Sequence, residues 1–494
     1  MRHSATFKTS IWLVVLAGVC LAFADIKITT LDPWGELGRI ALGFVTPDFL
    51  AWDELSDALL KTIGFAVIGV GLGIGAGFGF ALIFHWRAVR WAMAFVRAIH
   101  EIFWAIFFLQ FLGLNAITGV LAIALPYTGV FAKVFAEFLE EADPRPLKAL
   151  PEGTRNLSGF LYAKLPGVWA LMRSYSSYRL ECGLRSSAVL GFVGLPTLGF
   201  HLEIFFRQGV YSKAAALLLL FYALIYTLRW WMRPRLLPLY VLASAWVVWS
   251  PVQTSWANVV RFFTVDIVPH PLRVAPPPGS STLAALGDWT LTLLRDQALP
   301  GLVSTFLLGQ IALVVTGAVT LLAFPLISRR FVPPPVWALG NVLLVVLRST
   351  PEYILAYLFL QLWGPSMLPA IFALSLHNGG IIGTLTGRHA DTLPLRPDAP
   401  RGINLYAYEV LPRVYGQFLA FLFYRWEIIV RETAILGILG VRTLGFYVDS
   451  ALSELRFDRV LVLLVVTAGL NIAIDGFSRT LRHRLRLKTE VGVA

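Results

Sequence analysis

Eight charged side chains interrupt stretches that are otherwise apolar. Glu101, Arg179, Glu181 and Arg185 do so in the first half of the chain, and Glu352, Arg425, Glu427 and Arg431 in the second. A charged residue within a membrane helix costs roughly 2.5–3.5 kcal/mol, so such groups face a bundle interior or water. Glu181 and Arg185 are four residues apart, as are Glu427 and Arg431. Each pair therefore shares a helix face and can partly neutralise itself. Arg179 and Arg425 lie nearer the cytoplasmic end, where a long side chain can reach out to water. Two chemistries fit. One is an ion pair that locks a helix against its neighbours. The other is a set of arginines beside a translocation path, easing the passage of an oxyanion. Glu101 and Glu352 have those arginines, or Arg97 and Arg348, as possible partners, and the sequence leaves the choice open.

Other chemistries find no residues. No Lys follows a Gly, so the phosphate loop G-x-x-x-x-G-K-[ST] is absent. The run GVGLGIGAGFGF (69–80) never forms G-x-G-x-x-G; it puts Gly69, Gly73 and Gly77 on one helix face, a surface for close packing. Neither H-E-x-x-H nor a paired-Cys motif occurs, so no metal site is expected, and His270 reads as a residue of the Pro-rich segment 270–281. That segment is a flexible connector or a contact for a binding protein. Cys20 and Cys182 both lie in apolar runs and read as buried thiols. No nucleophile–base pair is visible, and an enzyme is not expected.

The elements that must hold the charged residues are membrane helices. The chain has 494 residues, 57% apolar and only 14% charged, against about 25% charged in soluble proteins. Its apolar runs are continuous rather than alternating, which selects helices over a barrel. Six spans are expected in each half: near 9–26, 60–86, 92–112, 116–138, 172–195 and 212–229, then near 236–253, 299–327, 335–362, 366–386, 416–440 and 457–477. With the N-terminus inside, the inner segments collect most Lys and Arg, from Arg2 and Lys8 to the tail Arg479–Lys488. The net charge of +12 is thus a topology signal, and nucleic acid is not an expected partner. The first span, with Ala22 and Ala24 behind it, imitates a signal peptide. A retained span is expected, because the second half opens with an apolar span at the matching place.

The chain is an internal tandem. Residues 178–200, YRLECGLRSSAVLGFVGLPTLGF, and 424–446, YRWEIIVRETAILGILGVRTLGF, share twelve identities at an offset of 246. The offset continues upstream through Arg155/Arg401, Tyr162/Tyr408 and Leu165-Pro166/Leu411-Pro412. A slightly larger one aligns RAIHEIFWAIFFLQFLG (97–113) with RSTPEYILAYLFLQLWG (348–364), and Thr62 matches Thr305. The expected fold is all-α and polytopic, with about 12 transmembrane helices in two parallel six-helix repeats, 1–235 and 236–494. An even number of spans per repeat gives both the same orientation, and two such units together build one pathway.

Both repeats carry a long inner segment ending in Leu-Pro: DPRPLKALPEGTRNLSGFLYAKLP (143–166) and DTLPLRPDAPRGINLYAYEVLP (391–412). Each is either a polar connector or a docking element. Gly153 and Leu165-Pro166 resemble the EAA loop of the membrane-spanning permease subunits of ABC importers, although Leu147-Lys148-Ala149 stands where that motif has Glu-Ala-Ala, and Ala399 takes the Gly position in the second copy. YR-x-E-x-x-x-R followed by LG-x-x-G and T-L-G-F resembles the phosphonate-uptake permeases, as do R-x-x-P-E at 348–352 and R-x-x-H-E at 97–101. Typical members carry one unit; this chain resembles a fused pair. The resemblance implies a multi-pass protein of the bacterial inner membrane, with both termini cytoplasmic. It implies two ATPase subunits docked at Gly153, Arg155, Leu165, Pro166, Ala399, Arg401, Leu411 and Pro412, and a substrate-binding protein at the outer face. It further implies ATP used by those partners, no cofactor on this chain, and a phosphonate or related phosphorus oxyanion as cargo. The same architecture serves amino acids, betaine or organic anions elsewhere. An ion-driven carrier is the competing class, and the duplicated Leu-Pro loop argues against it.

Overall fold

The computed structural model describes residues 5–50, 52–151, 153–250, 255–274 and 280–487. Arg2, Lys488 and positions 275–279 of the Pro-rich segment lie outside them. All regular structure among the described residues is helical. The principal helices of the first repeat are α1 (Ala5–Phe23), α2 (Trp52–Leu82), α3 (Arg87–Ala98), α4 (Glu101–Leu112), α5 (Ala116–Glu140), α6 (Leu165–Val189), α7 (Leu198–Arg207) and α8 (Tyr211–Trp231). Those of the second run in the same order. They are α9 (Leu237–Val248), α10 (Leu299–Ala323), α11 (Pro334–Ser349), α12 (Glu352–Trp363), α13 (Met367–Thr392), α14 (Leu411–Ile438), α15 (Leu444–Ser453) and α16 (Phe457–Arg484).

Contacts divide the chain into two compact units that do not follow the order of the repeats. One is Ile40–Thr264; the other is Met1–Arg39 with Val265–Ala494. The opening helix α1 belongs to the unit of the second repeat. Gln310 Nε2 of α10 donates to Leu13 O at 3.3 Å, and Tyr415 Oη donates to Ser10 Oγ at 2.7 Å. The strand of chain after α1 is held too, by Thr29 N to Trp363 O at 2.8 Å and by Ser366 Oγ to Lys27 O at 2.8 Å. Conversely, α9 packs on α2. Val248 presses so closely on Gly64 that an added Cβ would stand 2.4 Å from its Cγ2. Ser250 Oγ accepts from Ala116 N at 3.0 Å.

Two of the expected straight spans are broken. The segment near 92–112 is α3 and α4, bent by 93°, and that near 335–362 is α11 and α12, bent by 96°. The chain goes extended between the paired helices, at Ile99 and His100 in one case and at Thr350 and Pro351 in the other. Proline disfavours helical geometry in the residue before it, which accounts for the second break. In the first, the His100 side chain accepts from Ile102 N and caps α4. Among the described residues, seven helices are long and apolar enough to cross a membrane, or ten if each of three bent pairs is one span. The chain is therefore a polytopic membrane protein. The remaining two expected spans are α9, only 12 residues long, and α14, which carries five charged residues.

The repeated motifs form joints. After α6 the chain passes through a short 3-10 turn to Gly194, at φ +91°, then bends by 53° into α7; Gly440 stands at the same φ before α15. Only glycine adopts that backbone without strain. A Cβ on Gly191 would lie 2.0 Å from Phe200 N, and one on Gly437 2.1 Å from Phe446 N. Thr62 Oγ1 accepts from Leu198 N at 2.9 Å, and Thr305 Oγ1 accepts from Leu444 N at 2.9 Å, so both equivalent threonines cap the returning helix. L-G-x-x-G and T-L-G-F are thus the sequence of a tight corner.

The Leu-Pro pairs at 165–166, 299–300 and 411–412 each follow a π-helical turn. The Leu165 N–H reaches Phe160 O, Leu299 N–H reaches Leu294 O and Leu411 N–H reaches Tyr406 O. Proline cannot donate and crowds the carbonyl four residues back. The wider turn ahead of it relieves that conflict, so α6, α10 and α14 continue helices begun upstream rather than starting afresh.

Candidate functional site

Glu101 and Glu352 open the second helix of each bent pair, where the helix dipole favours a carboxylate. A polar cluster surrounds each. In the first repeat, Ser186 Oγ on α6 donates to Glu101 Oε1 at 2.6 Å, and Tyr127 Oη on α5 lies 3.2 Å from the same Ser186 oxygen. His100 Nδ1 stands 3.7 Å from Glu101 Oε2. In the second repeat, Asn378 Nδ2 on α13 donates to Glu432 Oε2 on α14 at 2.9 Å. His377 Nε2 stands 3.9 Å from Glu352 Oε2. One ligand atom each of Glu352, His377 and Glu432 lie within 4.8 Å of one another, and all three residues are buried.

The two clusters are built from equivalent positions. The offsets pair Glu101 with Glu352, Ser186 with Glu432 and Tyr127 with Asn378. The imidazole is the exception. His100 faces Pro351 in the alignment, and Pro126 faces His377. Each repeat therefore brings one imidazole to its glutamate, but from different elements. His377 also takes over carbonyls released by the bend, with Nδ1 2.8 Å from Thr350 O and 3.3 Å from Leu347 O. In the first repeat Trp104 Nε1 donates to Val96 O, the counterpart of Leu347 O, at 3.2 Å.

The neighbouring arginines and glutamates lie on α6 and α14. Arg185 Nη2 stands 4.0 Å from Glu181 Oε1 and 3.5 Å from Cys182 Sγ, so the i,i+4 pair is loose and half-buried. Arg179 Nε donates to Tyr175 Oη at 2.8 Å, and its guanidinium lies over the Tyr175 and Tyr178 rings. Arg425, Glu427 and Arg431 lie half-buried along α14. The sequence reading missed His100, Tyr127, Ser186, His377, Asn378 and Glu432. Glu432 adjoins Arg431 inside the quoted motif, but Ser186 opposite it hid its role from a search for identities.

The inner loops each expose the same pair of side chains. Leu157 is 69% exposed and Tyr162 81%; their equivalents Ile403 and Tyr408 are 80% and 72% exposed. Arg155, Pro166 and Arg401 are exposed beside them, while Leu165 and Ala399 are half-buried. Leu411 and Pro412 enter α14 behind its π turn. Gly153 is in the left-handed region, and in the second loop that conformation falls to Gly402 rather than to position 399. The second loop is also stapled. Arg396 Nε donates to Glu409 Oε2 at 2.7 Å and Arg413 Nη1 to Glu409 Oε1 at 2.8 Å. Burial pushes the Glu409 carboxyl up, but the Arg396 hydrogen bonds and charge, with the Arg413 bond, outweigh it and hold the group below its ordinary range. Ala163 occupies the equivalent place in the first loop, which has no such staple there.

No family model matches the chain, and no solved structure matches it. Curated proteins do. It is 26% identical over 422 residues to the phosphate-import permease protein PhnE of Mycolicibacterium smegmatis, covering 80% of this chain and 77% of that protein. It is 29% identical over 192 residues to the phosphite transport system permease protein PtxC of Stutzerimonas stutzeri, 36% of this chain and 70% of that one. It is 35% identical over 102 residues to the putative cryptic phosphonate transport system permease protein PhnE2 of Escherichia coli, 20% of this chain and 84% of that one. Similar to the first through most of its length, and to the last over most of that protein's length, the chain belongs to the permease family of phosphonate and phosphite transport systems.

Proposed function

We propose that this permease is the complete membrane-spanning part of an ATP-driven importer for a phosphonate or a related phosphorus oxyanion, with both repeats in one polypeptide. The match to the phosphate-import permease runs through 422 residues, more than either repeat contains, which supports a fused pair. Twelve passes result when α9, α14 and each bent pair count as spans beside the seven long helices. Both termini then face the cytoplasm of a bacterial cell, and the protein sits in its inner membrane.

The observation that carries the coupling is the repeated exposed pair. Leu157 with Tyr162, and Ile403 with Tyr408, are large apolar groups in polar loops at matched positions. Exposed apolar groups rimmed by charge mark protein contacts. Each pair offers one ATPase subunit a foothold, and the rigid helix behind it carries nucleotide-driven movement into α6 or α14. Those helices hold Arg179, Glu181 and Arg185, and Arg425, Glu427 and Arg431, which line or brace the path with Glu101 and Glu352. ATP is bound and hydrolysed by the partners, and a substrate-binding protein delivers the anion outside.

The test is purification with the neighbouring ATPase and uptake in proteoliposomes containing the binding protein. One chain with two ATPase subunits is expected, with ATP-dependent uptake of phosphonate, phosphite or phosphate. Tyr162→Asp and Tyr408→Asp should each lower ATPase recovery. Uptake driven by an ion gradient without any ATPase would overturn the proposal.

A further inference from the structure

The cluster of Glu352, His377 and Glu432 has the composition and geometry of a cation site, and among the described residues the first repeat has no equivalent. A carbonyl can only accept, so the 2.8 Å contact with Thr350 O puts the hydrogen on His377 Nδ1. That leaves Nε2 as the atom turned to the glutamates, 3.9 Å from Glu352 Oε2 and beyond hydrogen-bond length. A histidine held through one nitrogen by a backbone carbonyl, with the other facing carboxylates, is the arrangement that orients metal-binding imidazoles. A second observation points the same way. Asn378 is fully buried, and its carboxamide is turned into the cluster by the Nδ2 bond to Glu432. Its Oδ1 is enclosed and meets no hydrogen-bond donor among the described residues, a buried oxygen on the same side chain that reaches Glu432.

We propose that Glu352, His377 and Glu432 bind one first-row divalent metal ion, with Zn2+ as the probe, tying α12, α13 and α14 together. A divalent ion between the two carboxylates would neutralise both in their ionised form. One imidazole and two carboxylates suit Zn2+, whose bonds to such ligands are about 2.0–2.2 Å. Ligand atoms on one tetrahedral ion of this kind stand about 3.4 Å apart. From the observed limit of 4.8 Å the side chains must rotate inward to close on the ion. In the first repeat Ser186 replaces Glu432 and Pro126 replaces His377, which removes two of the three ligands. The ligands come from three separate helices rather than one local motif, so no metal-binding spacing is written along the chain.

The experiment uses the full chain, without an affinity tag, in lipid nanodiscs after chelator treatment. Equilibrium dialysis against Zn2+ with elemental analysis should find about one ion per chain. His377→Ala and Glu432→Ser should each weaken binding at least tenfold, while Glu101→Gln in the other repeat leaves it unchanged. X-ray absorption at the zinc edge should show one imidazole with oxygen ligands, a result that needs no variant to fold. Folded wild-type chain with no saturable Zn2+ binding overturns the proposal, as does binding that both substitutions leave intact or a zinc spectrum without imidazole. Binding is read without transport, so failure of the importer reading would leave this result standing.

Discussion

Arg185 is the residue whose role is most cleanly separable. Its contact with Glu181 is 4.0 Å, too long for a hydrogen bond, and exchanging the two charges keeps the pair on one helix face. The double exchange Glu181→Arg with Arg185→Glu should therefore leave the chain folded in the membrane, read by its elution as a single species in detergent. Uptake of phosphorus oxyanion should nonetheless fall by an order of magnitude, because the cation moves one turn along the helix. Wild-type uptake by the exchanged chain would reduce the pair to a brace. Ser186 makes the opposite case. It is buried, bonded to Glu101 and adjacent to Tyr127, so its contribution is to position the glutamate.

At the scale of elements, the glycine face of α2 decides how closely two helices meet. Cβ atoms on Gly69, Gly73 and Gly77 would stand 2.7, 2.8 and 2.5 Å from the Cβ atoms of Ile123, Tyr127 and Phe131 on α5. Gly75, on another face, has open space around its Cβ position. Gly77→Ala should thus destabilise the chain by about 1–3 kcal/mol, and Gly75→Ala should not, as measured by thermal unfolding in detergent. This face was readable in the sequence because its spacing of four is a property of one helix. So were the internal repeat and the helical class, whereas L-G-x-x-G and T-L-G-F were legible as repeated residues but not as corners. The breaks within 92–112 and 335–362 were not, because an apolar run looks the same straight or bent. Thr350-Pro351 was the one written signal, and His100 breaks its own helix through a cap rather than a proline. The clusters stayed hidden for a related reason. Ser186 and Glu432, or Pro126 and His377, differ in type, and a search for repeated residues passes over positions where the copies divide a task.

At the scale of the whole chain, the opening helix α1 joins the unit formed by the second repeat. Because α1 packs on α10, deletion of residues 1–24 should loosen the unit of the second repeat rather than that of the first. Hydrogen–deuterium exchange should rise over 299–323 and stay unchanged over 52–82; the reverse pattern would place α1 with its own repeat. The exchanged imidazoles carry a further consequence, one that concerns inheritance. Two similar gene halves invite recombination, and a crossover between α4 and α5 sequences would join His100 to His377 in one product and Pro351 to Pro126 in the other. One hybrid would bear two imidazoles at a single glutamate and its reciprocal none. The packing faces resist in the same way. The small residues stand on α2 in the first repeat, but in the second Gly379 and Gly387 on α13 meet Val319 and Ile327. A hybrid of α2 with α13 would set Gly69, Gly73 and Gly77 against Leu374, Asn378 and Ile382 in place of Ile123, Tyr127 and Phe131. Divergence at these positions makes the two halves unequal substitutes for one another.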